Sequence, residues 1–201
     1  MKRVLSLALF LTACALGLYA CQASQDNSQP KKNKDMKNLI VYFSHTAGNT
    51  KSIAEKIQKQ VGGDIVRLET KVPYPEDYNK SVAQGQREVE TGYKPELKPL
   101  GVNVRDYDRI FIGTPTWWYK MAPAVLTFLS SNDFSGKVVV PFMTNAGWPG
   151  SVIKDMSAEA EKHGATVADA HEFLFSADEA HRNKMVTSET ELNQWLKQLI
   201  K

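Results

Sequence analysis

From Asn38 onward the chain predicts an α/β domain of three layers, with a five-stranded parallel sheet in the order 2-1-3-4-5 between two sets of helices. Three observations predict it. Strand and helix signals alternate along the sequence. A short apolar strand, Leu39 to Phe43, runs straight into the polar turn Ser44-His45-Thr46-Ala47-Gly48-Asn49-Thr50, and a helical pattern follows at once. With 201 residues, 42% of them hydrophobic, the chain can bury one full core, so one domain is expected rather than two.

The elements follow in order. Ile53, Ala54, Ile57 and Val61 make one apolar face of a first helix, stopped by Gly62-Gly63, and a second strand runs from Ile65 to Leu68. Some forty residues then precede the third strand, more than a helical crossover needs. Within them Tyr74-Pro75-Glu76-Asp77-Tyr78 is expected to open a helix, with Pro75 at or near its first turn, that fades near Gly92. This insertion either covers a ligand or elaborates the surface. Arg109 to Gly113 is the third strand, Lys137 to Phe142 the fourth, and Thr166 to Phe175 a fifth whose alternation implies exposure on one side. Ser188 and Glu191 form a capping box for a last helix, whose stripe of Leu192, Trp195, Leu196, Leu199 and Ile200 is expected in the core.

The turn after the first strand carries chemistry. Hydroxyls of Ser44, Thr46 and Thr50, the Asn49 amide, and main-chain N–H groups around Ala47 and Gly48 converge where a helix begins. The first N–H groups of a helix have no partner and make its start electropositive, so a phosphate monoester can settle there. No Lys or Arg lies in the turn. That favours a phosphate held by neutral dipoles over a Walker-type loop, which needs Gly-Lys-Ser/Thr. In an open parallel sheet of this order the ligand occupies the crevice at the carboxyl ends of the first and third strands. The loops there are Pro115-Thr116-Trp117-Trp118-Tyr119 and Asn145-Ala146-Gly147-Trp148-Pro149-Gly150. Large aromatics beside Gly and Pro turns suit a flat ring, stacked on its face and bonded at its polar edge.

These residues carry a resemblance. Tyr42-Phe43-Ser44 with Gly48-Asn49-Thr50 and Ala54, Tyr107-Asp108 leading into Ile112 to Trp118, Pro141-Phe142 leading into Gly147 and Gly150, and Trp195-Leu196 make the chain similar to the flavodoxin-like family over about residues 37–201. The resemblance implies noncovalently bound FMN. Ser44, His45, Thr46, Ala47, Gly48, Asn49 and Thr50 would hold its phosphate. Pro115, Thr116, Trp117, Trp118 and Tyr119 would contact its isoalloxazine, with Asn145, Ala146, Gly147, Trp148 and Gly150 on the other side. The family's usual turn is Ser-x-Thr-Gly-x-Thr, and Ala47 lengthens it here by one residue. Electron transfer is the implied role, with an FMN-dependent NAD(P)H:acceptor oxidoreductase, of quinone type, as the alternative. A flavin-free binding module is a third. The redox partner would be a protein, a nicotinamide cofactor or a quinone, and no separate catalytic group stands out.

Lys2 and Arg3 precede the apolar run Val4 to Leu18, the length of a signal h-region and short for a membrane span. It ends in Leu18-Tyr19-Ala20-Cys21, which resembles the lipobox of bacterial lipoproteins. Leu11-Thr12-Ala13-Cys14 is the closer literal match, but apolar sequence continues beyond it, whereas polar residues follow Cys21. The expected organisation is a signal peptide over 1–20, lipidation at Cys21, a flexible tether over 21–36 and the domain over 37–201. That places the protein at a bacterial membrane, on its periplasmic or cell-surface side. Both cysteines lie inside this leader or at its edge, so no disulfide or cysteine metal site is expected in the domain. Twenty-five basic residues face 22 acidic ones, a balance too even for a nucleic-acid partner.

Several residues have plainer readings. His45 is either a ligand to the phosphate or a solvent-facing loop residue. One of Trp117 and Trp118 packs beneath its loop while the other meets the ring, and Trp148 is either an exposed lid or a core plug. Tyr78 and Tyr93 are expected to pack on their helix. His163, His171 and His181 are too dispersed to bind a metal and are expected at the surface or as satisfied polar groups.

Overall fold

The computed structural model describes residues 36–200, so the leader, most of the tether and both cysteines lie outside the described residues. Strand β1 (Asn38–Tyr42) leads into helix α1 (Asn49–Val61), β2 (Asp64–Arg67), α2 (Tyr78–Thr91) and β3 (Arg109–Trp117). There follow β4 (Lys120–Met121), α3 (Pro123–Ser131), β5 (Val138–Asn145), α4 (Val152–Lys162), β6 (Thr166–Val167), β7 (His171–Leu174) and α5 (Glu189–Gln198). The sheet order is β2-β1-β3-β5-β6, with β7 also on β5. All these pairings are parallel, with Leu39 opposite Asp64 and Ile110, and Ile110 opposite Val139. The three-layer α/β architecture therefore stands, with the expected third and fourth strands in the places of β3 and β5.

Alternation along β1 assigns the layers. Leu39 and Val41 point into a core with Ile110, Ile112 and Val139, covered by Val125, Phe128 and Leu129 of α3 and Val152 and Met156 of α4. Ile40 and Tyr42 point the other way, joining Phe111, Val140 and Phe142 beneath Ile53 and Ile57 of α1 and Leu192, Trp195 and Leu196 of α5. Buried on both faces, the central strands need no polar positions.

Three expectations change. The expected fifth strand is broken, with β6 and β7 separated at residues 168–170. Pro141 supplies the reason. In a parallel strand the N–H and C=O of one residue face the same neighbour. The Val139 carbonyl accepts from Ala168 N at 3.0 Å and Asn145 O from Phe175 N at 2.8 Å, so residues 139, 141, 143 and 145 face this side. At 141 the donor is missing, and the neighbouring strand leaves the ladder there. The break is held by Trp195, whose Nε1 donates to Asp169 O at 2.7 Å. Second, α2 begins at Tyr78 rather than at Pro75, because the Asp77 carboxylate accepts from Lys80 N at 2.8 Å and fixes the helix start. Third, Ile200 is not in the core. The helix ends at Gln198, so the stripe lapses, and Ile200 is exposed while Leu199 is buried.

Candidate functional site

A cleft of about 570 Å³ opens at the carboxyl ends of β1, β3 and β5. It falls in the range typical of small-molecule sites. Residues 44–50 and 115–119, with Asn145, Ala146 and Trp148, all border it. Gly147 and Gly150 do not.

The 44–50 turn is held from outside. Arg67 donates to Ser44 O at 2.8 Å, and the His45 ring nitrogen Nε2 lies 3.1 Å from Pro75 O. His45 is thus a half-buried brace to the segment before α2, not a solvent-facing residue. Gly48 adopts φ 74°, and no side chain caps α1. Ser52, bonded to Gly48 O at 3.0 Å, is the first residue after Phe43 in the described turn whose main-chain N–H has a protein acceptor. The start of a 13-residue helix therefore presents open donors to the cleft. Thr50 is buried and its hydroxyl pairs with that of Thr144 at 2.8 Å, joining α1 to the end of β5. Two buried acceptors here have no protein partner: Asn49 Oδ1 and Thr116 Oγ1. Such atoms are costly unless something else bonds to them.

The second wall is a hairpin. Beyond Gly113, β3 continues to Trp117 and turns back into β4, pairing Thr116 with Met121 and Trp117 with Lys120. Trp118 and Tyr119 form the turn with φ 48° and 62°, left-handed values that bulky side chains rarely adopt. Neighbouring contacts enforce them. Ser151 N donates to Tyr119 O at 3.1 Å, and Lys120 Nζ reaches both Ser151 Oγ and Asp155 Oδ2 at 2.8 Å. Burial works against the Asp155 carboxylate, yet the hydrogen bonds from Lys120 and Ser151 outweigh it and hold its pKa below the usual range. Gly150 is the point of closest approach, since a Cβ there would lie 2.1 Å from Tyr119 O. It supports the opposite loop instead of facing the cleft.

The two tryptophans divide their roles. Trp117 packs edge-on against Phe43 and Tyr74 at 5.4 and 4.8 Å between ring centres, and against the bare backbone of Gly85. Trp118 is exposed and donates to Val82 O at 3.1 Å. Tyr119 and Trp148 are also exposed at the rim. Asn145 spends its amide locally, accepting from Gly147 N at 2.7 Å and donating to Glu172 at 3.0 Å.

The identification follows from the whole span of these elements. A sequence profile described as flavodoxin matches residues 37–199, which include every strand and helix described above. The chain belongs to the flavodoxin family. Flavodoxin 1 of Salmonella typhimurium is 27% identical over 106 residues, 51% of this chain and 46% of that protein. A flavodoxin of Haemophilus influenzae is 26% identical over 49% of this chain and 45% of its own length, so the chain spans about half the length of the curated relatives it matches. Among solved structures, a candidate flavoprotein from Bacteroides eggerthii superposes with a TM-score of 0.65 at 28% identity, over 83% of this chain and 99% of that one. A Lactobacillus acidophilus flavoprotein solved in complex with FMN gives 0.59 at 21% identity, over 80% and 98%, a likeness of fold.

This flavodoxin also has cleft residues that sequence reasoning missed. Tyr78, Ser81, Val82 and Gly85 show that the insertion after β2 borders the cleft. Tyr78 is exposed there rather than packed on its helix; Tyr93 is exposed too. Ser176, Ala177 and Arg182 arrive from the loop after β7. Of the histidines, His163, His181 and His171 lie 3.3, 2.7 and 3.5 Å from the carboxylates of Glu159, Asp178 and Glu191, and the buried His171 Nε2 makes that contact without a hydrogen bond. The expectation of a surface or satisfied group is met only in part at His171, which has a carboxylate neighbour but no hydrogen bond at Nε2. A Gly at helical spacing from Ser81 and Tyr78 was the available signal for the α2 face. Nothing local marks Arg182.

Proposed function

We propose that this flavodoxin binds FMN in the cleft and carries electrons at a bacterial membrane. The observation that carries the reading is the pairing of an uncapped helix start with two orphaned buried acceptors and an aromatic rim, all bordering one cleft. The residues fit the group. Open N–H groups of the 44–50 turn would bond the phosphate oxygens, with Ser44, Thr46 and Thr50 beside them. Asn49 Oδ1 and Thr116 Oγ1 would take hydroxyl or N–H donors that the protein does not provide. Trp118, Tyr119 and Trp148, with Pro115 and Ala146, would flank the ring and keep water from it. Bound there, FMN supplies reversible one- and two-electron redox chemistry. Neither a metal nor a nucleophile is called for.

The FMN-dependent NAD(P)H:acceptor reading draws on the exposure of Tyr78, Trp118, Tyr119 and Trp148, which leaves room over the rim for a second planar ring such as a nicotinamide or quinone. Titration of the domain into FMN tests binding first. Fluorescence quenching and a yellow protein are expected, and a colourless protein without quenching would leave the flavin-free module standing. Stopped-flow mixing of the loaded protein with NADH and NADPH then separates the roles: rapid bleaching of the flavin makes it a reductase. The membrane location rests on the sequence before residue 36. Membrane fractionation of Cys21→Ser and Cys14→Ser variants tests it, with only the first expected to release the protein.

A further inference from the structure

We propose that Arg182 selects the phosphorylated flavin over its dephosphorylated form. The inference rests on FMN occupying the cleft and assigns a residue outside the expected cradle to its phosphate end. Among the described residues bordering the cleft, Arg182 is the one with a permanent charge. Arg67 lies behind the turn with Nη2 donating to Ser44 O, so Arg182 is the permanent cation on the cleft side that an anionic ligand can meet directly.

The loop that carries it is built. Ser176 N donates to Lys184 O at 2.9 Å and Phe175 bridges Met185, closing the loop at its neck. Inside, Asp178 caps a short turn at 179–181 by accepting from Ala180 N at 3.0 Å. Arg182 follows directly, and its carbonyl accepts from Asn49 Nδ2 at 2.8 Å. Asn49 is the first residue of α1, so the backbone of Arg182 is tied to the head of the phosphate turn. Its guanidinium lies over the Tyr78 ring, 4.3 Å from the centroid, which spans the cleft from the β7 loop to α2. One nitrogen, Nη2, donates to Glu179 Oε1 at 2.7 Å, and that carboxylate is 87% exposed. Solvent screens such a pair, and it gives way to a dianion within the cleft. Nε and Nη1 have no protein acceptor among the described residues.

Binding of FMN and riboflavin, measured side by side by quenching of flavin fluorescence, tests the assignment. The wild-type protein is expected to prefer FMN, and added NaCl to weaken FMN alone. Arg182→Gln, which keeps a polar hydrogen-bonding side chain but removes the charge, should lose about tenfold in FMN affinity while riboflavin changes less than about twofold. Glu179→Gln frees the guanidinium and should tighten FMN about two- to threefold, a gain that misfolding cannot produce. Equal losses for both flavins in Arg182→Gln, or an unchanged FMN affinity in both variants, overturns the proposal. A wild-type protein that binds FMN and riboflavin equally also overturns it, leaving the flavin site intact. If neither flavin binds, the site and its selectivity fall together.

Discussion

At the scale of single residues the cleft stores cost in two ways. Thr116 Oγ1 is buried without a protein partner, so the empty protein carries a desolvated hydroxyl. Thr116→Val removes that cost and should raise the stability of the flavin-free protein by about 1 kcal/mol while weakening FMN severalfold. Melting temperature with and without FMN would show the crossover. Tyr119 holds φ 62° with an aromatic side chain. Glycine takes that conformation freely, so Tyr119→Gly is expected to stabilise the hairpin by about 1 kcal/mol, at the expense of flavin contact. Chemical denaturation and FMN titration of this one variant should move in opposite directions. Both of these costs lie in the cleft, where a sequence serves a ligand as well as the fold; Arg109 Nη2 and His171 Nε2 are buried orphans away from it.

The elements meet through close approaches that leave little slack. Gly113 of β3 lies beneath the Phe142 ring of β5, and a Cβ there would sit 2.1 Å from Phe142 Cζ. Strands β3 and β5 are the centre of the sheet, and both run on into the cleft walls. Gly113→Ala must therefore displace a fully buried ring, at about 2–3 kcal/mol. A lowered denaturation midpoint with an unchanged slope is the expected result. Pro141 shows the converse economy. Its missing N–H ends one edge ladder, and the chain uses the gap to turn at Asp169, φ 50°, under the cap of Trp195. The broken fifth strand was therefore implicit in a residue already placed in the fourth. Which neighbour the missing donor faces depends on register, and register follows from pairing, not from spacing within one segment.

For the molecule as a whole, pH acts through His171. Burial pushes its pKa below the ordinary value of 6.5, against the opposing pull of Glu191 and Glu172, and its ring stacks on Trp195 at 5.2 Å. The unfolded chain thus binds a proton that the folded one refuses. Stability is fully present above pH 6.5 and falls as the pH drops from there through the lowered native value. Melting curves between pH 7.5 and 5 should show the loss, and His171→Phe should flatten it. Local pattern was enough to establish the alternation of strands and helices, the turn after β1 and the aromatic loops, because periodicity and turn chemistry are properties of neighbouring residues. The C-terminal helix was equally legible from Ser188, whose hydroxyl does accept from Glu191 N at 3.1 Å. Other features were decided by tertiary contact alone. Nothing near Trp117 or Trp118 says which is packed, since Gly85 and Val82 of α2 make that choice from more than thirty residues away. Arg182 reaches the turn at Asn49 across 133 positions. Folding brings such pairs together through the sheet order, and a chain read residue by residue carries no trace of the distance between them.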